Sequence, residues 1–169
     1  MQERFTVLSR EELEEVTKRV YDKTKADVLP LLGEREMGVE LQEAEAQALV
    51  ARETLNAFAR DFPEVGKDLE RLGFKPPEGE VPELSIEYGL RFLGIEPRKK
   101  RLVRDVYPRV LKTYFRARGK HRALFEPVLE AMPAERLGKI MHGLETHPMP
   151  YEFHKEVHGM AKRELAKKK

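Results

Sequence analysis

The sequence predicts an all-α protein, an irregular bundle of about six to eight helices with an acidic N-terminal hairpin packed on a basic C-terminal lobe. Three observations predict it. Apolar residues recur at helical spacing along most of the chain. Strand signals are almost absent, because no alternating Val/Ile/Thr run is bounded by turn residues. Pro, Gly and Ser stand where helices would start and stop.

The first helix starts at Ser9, which forms a capping box with Glu12, while Leu8 and Leu13 are placed to form the hydrophobic staple. Leu13, Val16 and Val20 continue at helical spacing, and Pro30 and Gly33 place the end near Val28. The second helix runs from about Val39 to Phe62, with Leu41, Ala44, Ala48, Leu55, Ala59 and Phe62 on one stripe. Pro63 stops it and opens a short third helix, which Gly73 closes. Residues 75–82, KPPEGEVP, read as a linker between a lobe at 1–74 and a lobe at 83–169, although one domain over 1–169 also fits.

After the linker, Glu83 to Leu93 predicts a short helix ended by Gly94. Pro97 opens a basic helix that Gly119 closes, with a kink or break expected at Pro108. Lys120 to Met132 reads as a further helix carrying Pro127. Pro133 opens another to about Glu145, and Pro150 opens a final one that frays into the terminal lysines. A helix-turn-helix reading of Ala134, Gly138 and Leu144 fails, because Ile140, Met141 and Leu144 carry the helical stripe through Gly138.

Charge is distributed unevenly. Residues 1–82 hold 12 basic and 19 acidic side chains, and residues 83–169 hold 20 and 11. From Arg98 to Arg122 there are eleven Lys or Arg residues and one acid, Asp105. At about 100° per residue, Leu102, Val103, Val106, Val110 and Tyr114 gather on one face. Arg98, Arg101, Asp105, Arg109, Lys112 and Arg116 gather on the other. The second set predicts a basic ridge about 27 Å long. Arg98, Arg101, Arg109, Lys112 and Arg116 are the candidate residues for nucleic-acid or other anion binding, since guanidinium forks fit phosphate. Tyr107 and Phe115 flank the ridge as candidate base-stacking rings. Few Asn or Gln are available to read bases, so binding would be independent of nucleotide sequence.

Two other readings stand beside that one. The ridge can instead pair with Glu36, Glu40, Glu43 and Glu45 of the acidic half, within the chain or across a homo-oligomer, or meet an acidic protein surface. Alternatively, His142, His147, His154 and His158 form a cluster near the C-terminus. His154 and His158 stand one turn apart, as two ligands of a divalent metal would, with Glu145 or Glu152 as further donors. Lys155 occupies the position where a zinc-protease HExxH motif carries Glu.

No catalytic signature accompanies these clusters. There is no Cys, which removes disulfide and thiolate chemistry. No G-x-S-x-G, P-loop or G-x-G-x-x-G is present. The chain reads as non-enzymatic, with no resident cofactor unless the histidines hold a metal. The N-terminus shows no signal-peptide pattern and no apolar run reaches membrane-spanning length, so a cytoplasmic protein with no membrane contact is expected. Abundant Arg, Glu and Lys with a single Asn, Asn56, resembles the composition of thermophilic proteins.

Overall fold

A computed structural model of the chain describes residues 8–28, 35–74, 84–96, 101–147 and 151–168. The described residues form seven α-helices and no strand: α1 (Arg10–Val28), α2 (Arg35–Asp61), α3 (Pro63–Arg71), α4 (Ile86–Leu93), α5 (Tyr107–Glu130), α6 (Ala134–Thr146) and α7 (Tyr151–Lys167). A π-helical turn, Leu102–Val106, leads into α5. The proposed linker and Pro97, Pro148 and Pro150 lie outside the described residues.

Local chemistry sets most of the helix ends. Ser9 Oγ accepts the Glu12 N–H at 3.1 Å, and Leu8 and Leu13 are both buried in one core cluster. Ser85 caps α4 in the same way, accepting the Tyr88 N–H at 3.1 Å, so this helix begins later than Glu83. Gly73 and Gly94 sit at φ +88° and +70°, where a side chain is strained. At each, the chain reverses through paired bonds: Gly73 N–H to Glu70 and Phe74 N–H to Leu69, Gly94 N–H to Arg91 and Ile95 N–H to Leu90. Both reversals drive the next residue, Phe74 or Ile95, into the core.

Helix α5 differs from its expected outline in two ways. Gly119 does not close it, and the stretch from Lys120 is the same helix, which runs unbroken to Glu130. Gly119 is instead where α1 comes closest, since a Cβ there would lie 2.4 Å from the Thr17 carbonyl oxygen. The regular α-helix begins only at Tyr107, with Pro108 in its first turn and the π-helical residues Leu102–Val106 before it, so the expected basic helix is interrupted where Pro108 stands. Pro lacks an N–H and its ring crowds the carbonyl four residues back. The strain is taken up just upstream, where the Val106 N–H reaches five residues back to the Arg101 carbonyl at 3.3 Å.

Helix α5 lies between α1 and α2 and packs along both, so the two N-terminal helices meet α5 more than each other. The main core joins residues from both sides of segment 75–83, including Leu55, Phe58, Leu69, Phe74, Tyr107 and Tyr114. Phe74, Tyr114 and Phe115 form a ring triangle with centroids 5.3–5.9 Å apart. A second cluster, with Phe125, Leu129, Leu137 and Met160, seats α6 and α7 on the end of α5.

Buried polar groups are tied to this framework. The Tyr107 hydroxyl donates to Asp68 at 2.7 Å, and burial, reinforced by that carboxylate, pushes the phenol well above its usual range. Arg71 grips Asp68 and the Leu8 carbonyl, both at 2.7 Å, which locks α3 to the entry of α1. His121 is only 2% exposed, between Phe125 and Phe153 with centroids 5.0 Å from each. Its Nδ1 has no hydrogen-bond partner among the described residues, and burial pushes its pKa down to about 4.

Two predictions follow from this packing. Gly119→Ala forces α1 and α5 apart and costs about 1–3 kcal/mol by urea unfolding, with the helical circular dichroism retained. His121 makes stability fall in acid. Between pH about 6.5 and about 4 the unfolded chain binds a proton that the native site refuses. The stabilisation from neutral His121 is whole above that window and is lost progressively down to its lower edge, about 3 kcal/mol in all. A pH series of urea midpoints checks it, and His121→Leu flattens the series in that window.

Candidate anion-binding face of helix α5

The basic residues of α5 fall into two groups, and the neighbouring helices decide which residue joins which. Arg118 is half-buried against α7, whereas Arg122 is exposed and lies against α1. Arg118 Nε donates to Glu156 of α7 at 2.7 Å. Arg122 Nε donates to Glu126 at 2.8 Å, and its guanidinium lies over the Tyr21 ring at 5.4 Å. Glu126, 5% exposed, also accepts the Tyr21 hydroxyl and has Lys25 Nζ at 3.8 Å. Burial and the bond to Glu126 raise the Tyr21 phenol, and the bond to Tyr21 raises the Lys25 ammonium.

Tyr21, Arg118, Arg122 and Glu156 line a groove of about 380 Å³ between α1, α5 and α7. Arg10 also borders it and is bonded to Glu14 at 3.0 Å and to the Leu72 carbonyl. Three of the four cations around the groove are therefore already held by carboxylates, leaving Lys18 as the exception. The groove serves as a structural joint and offers little to an incoming anion.

The second group faces outwards. Arg109, Lys112, Thr113, Arg116 and Lys120 occupy one sector of about 100°. Arg109 and Arg116 are exposed, and Lys112, Thr113 and Lys120 are half-buried. None of the four cations pairs with a carboxylate among the described residues. The stripe is about 17 Å long. It stops where Ala123 and Pro127, next on the same sector, are buried.

Among the described residues of the basic block, the cations without a carboxylate partner start at Arg109 and continue past Arg116 to Lys120. Arg98 lies outside the described residues. Arg101 and Arg104 share Asp105, at 3.6 and 3.9 Å, on the π-helical turn. Lys120 was hidden from sequence reasoning because Gly119 reads as a helix end, although its spacing of four from Arg116 was visible. Tyr107 and Phe115 are not flanking rings. They are 0% and 1% exposed in the main core and cannot stack on a base.

Glu40, Glu43 and Glu45 make no ion pair with the stripe among the described residues. Burial raises the Glu45 carboxyl above its ordinary value.

The histidines are only partly brought together. His154 and His158 stack with centroids 5.9 Å apart, and His158 Nε2 lies 3.1 Å from Glu145 Oε1 across the α6–α7 joint. His142 and His147 are exposed. Among the described residues, no group of three or more His, Asp or Glu side chains is placed to hold a metal ion.

No protein-family model, curated protein or solved structure matches this chain. No helix of the described residues is long and apolar enough to cross a membrane.

The outward stripe carries its own stability test. Arg109–Lys112, Lys112–Arg116 and Arg116–Lys120 are like charges three or four residues apart, each unfavourable by about 0.2–0.5 kcal/mol. Arg116→Glu turns the last two into attractive pairs. It raises Tm by about 2 °C at low salt, and the gain disappears at 1 M salt. Thermal melts at both salt concentrations check it, and a fall in Tm would mean that Arg116 is already paired.

Proposed function

We propose that this chain is a non-enzymatic nucleic-acid-binding protein that grips phosphate backbone along the outward face of α5. The observation that carries the reading is the division of the basic block. Arg118 and Arg122 pair with Glu156 and Glu126, whereas Arg109, Lys112, Arg116 and Lys120 stand in a row with no acid among the described residues to answer them.

Lining up like charges costs stability. A polyanion reverses that cost and gains entropy by releasing its condensed counterions. A fixed α-helix presents the row in one straight line, and the two arginines offer forked donors suited to phosphate oxygens. The ligand is a backbone rather than a base sequence, because the stripe holds no Asn or Gln to read base edges.

The test is fluorescence anisotropy with labelled oligonucleotides, titrated against salt. Four phosphate contacts give a log–log slope of about −3 on single strands and nearer −4 on duplex DNA. Arg109→Glu/Arg116→Glu lowers affinity at least about a hundredfold at low salt and removes about two contacts from the slope. Absence of wild-type binding at 50 mM salt, or a double variant that binds as wild type does, contradicts the reading.

A further inference from the structure

Helices α6 and α7 are attached to the fold differently from the other five. The main core draws on residues between Leu8 and Phe115 and on none from α6 or α7. Helix α7 meets the rest of the fold chiefly along α5, and α6 rests mainly on α7. Both follow α5 through the short link 131–133, which ends on Pro133 in an extended conformation. The pair is therefore a hairpin on a three-residue hinge, held down by one face of α7.

His121 lies in that contact. Its ring stands against Phe153 of α7 and Phe125 of its own helix, with centroids 5.0 Å from each. Phe153 packs in turn with Ala117 and with Ala48 of α2. Arg118 Nε and Glu156 pair across the same contact at 2.7 Å. Towards the end of α5, Phe125, Leu129 and Met160 share the second cluster, with Leu41 of α2 against it. Lys168 Nζ donates to the Glu130 carbonyl at 2.7 Å.

Among the described residues, no carboxylate bonds to His121. Its neighbours on α5 are the cations Arg118, Lys120 and Arg122. Glu156 and Glu126 are engaged with Arg118 and Arg122. On α7, His154 follows Phe153 and stacks on His158. On α2, Glu45 and Arg52 stand one turn either side of Ala48, and Arg52 lies over the Phe74 ring at 4.5 Å. A protonated His121 would thus be a buried charge between two Phe rings, with an Nδ1–H that has no acceptor. With α7 lifted off, the same ring stands in water and accepts a proton freely.

We infer that α6 and α7 form a hinged clamp that acid releases from α5 as one unit, with His121 as the proton-sensing residue beneath Phe153. The α1–α5–α2 sandwich stays closed when the clamp opens, because the main core contains no residue of the clamp. Opening uncovers Ala117, His121, Phe125 and Leu129 and parts Arg118 from Glu156. The inference does not rest on the nucleic-acid reading, which concerns the outward stripe of α5.

Hydrogen exchange read by mass spectrometry, corrected for the pH dependence of chemical exchange, tests it on wild type, His121→Leu and His121→Gln at pH 7 and pH 5. The open clamp takes up a proton that the seated ring refuses, so opening becomes more frequent as pH falls from about 6.5 to about 4. In wild type, α6 and α7 open roughly twentyfold more often at pH 5 than at pH 7. At pH 5 they also exchange at least about tenfold faster than residues 103–115, as a unit that opens without global unfolding does. Both substitutions remove the rise in opening on acidification, because neither side chain titrates.

Equal protection of α6, α7 and residues 103–115 at both pH values means that α7 leaves only when the whole fold opens, and overturns the clamp. Opening of α6 and α7 that does not rise in acid, or that rises equally in both variants, removes His121 as the sensor and overturns the inference.

Discussion

The sandwiching of α5 between α1 and α2 is the constraint on which the rest of this structure depends. A helix covered on two sides must present small or apolar groups to both neighbours. Gly119 gives α1 its close approach, and Ala117 with Ala48 does the same on the α2 side, where Phe153 of α7 fills the remaining space. Tyr107, Tyr114 and Phe115 fill the wider part, and the Phe74 ring delivered by the turn at Gly73 closes it. The π-helical turn is the local adjustment that lets Pro108 enter the first turn of α5 while Val103 and Val106 remain in the core.

The same sandwich sorts the charges. A cation at a helix–helix boundary loses part of its hydration, so it is tolerated only with a carboxylate beside it. Arg118 stands at such a boundary and has Glu156, whereas Arg122 is itself exposed and answers the buried Glu126 carboxylate. Arg109 and Arg116 stand on the open sector, keep their water and need no partner inside the fold. The high charge density of the block thus has two separate causes. One half holds α1 and α7 to α5, and the other half supplies the face proposed to meet phosphate.

Local signals in the sequence were legible and long-range ones were not. The cap at Ser9, the helix opening at Pro63 and the stops at Gly73 and Gly94 depend on a few adjacent residues, and each was readable from them. Gly119 was misread because one residue type serves two purposes. A glycine that ends a helix and a glycine that admits a neighbouring backbone look alike until the neighbour is placed. Tyr107 and Phe115 were misplaced for a related reason. Their burial is set by Phe58 and Phe74, which are distant in sequence. Tyr88 and Phe92, exposed on α4, had the right spacing to be noticed as a pair, but Ile86 and Leu90 on the same short helix look equally apolar. Only the position of α2 shows which apolar face is covered.

The most direct test of this account sets two double variants side by side, Arg118→Ala/Arg122→Ala and Arg109→Ala/Arg116→Ala. Urea unfolding and oligonucleotide affinity are measured on the same preparations. The account predicts a crossed result. The first variant loses stability, because the buried Glu126 carboxylate is left with fewer partners, while its folded form binds as wild type does. The second keeps its stability or gains slightly, since it removes the like-charge pairs, and loses binding. Equal losses of stability in both variants, or equal losses of binding, would contradict the division of the basic block into a structural half and a ligand-facing half.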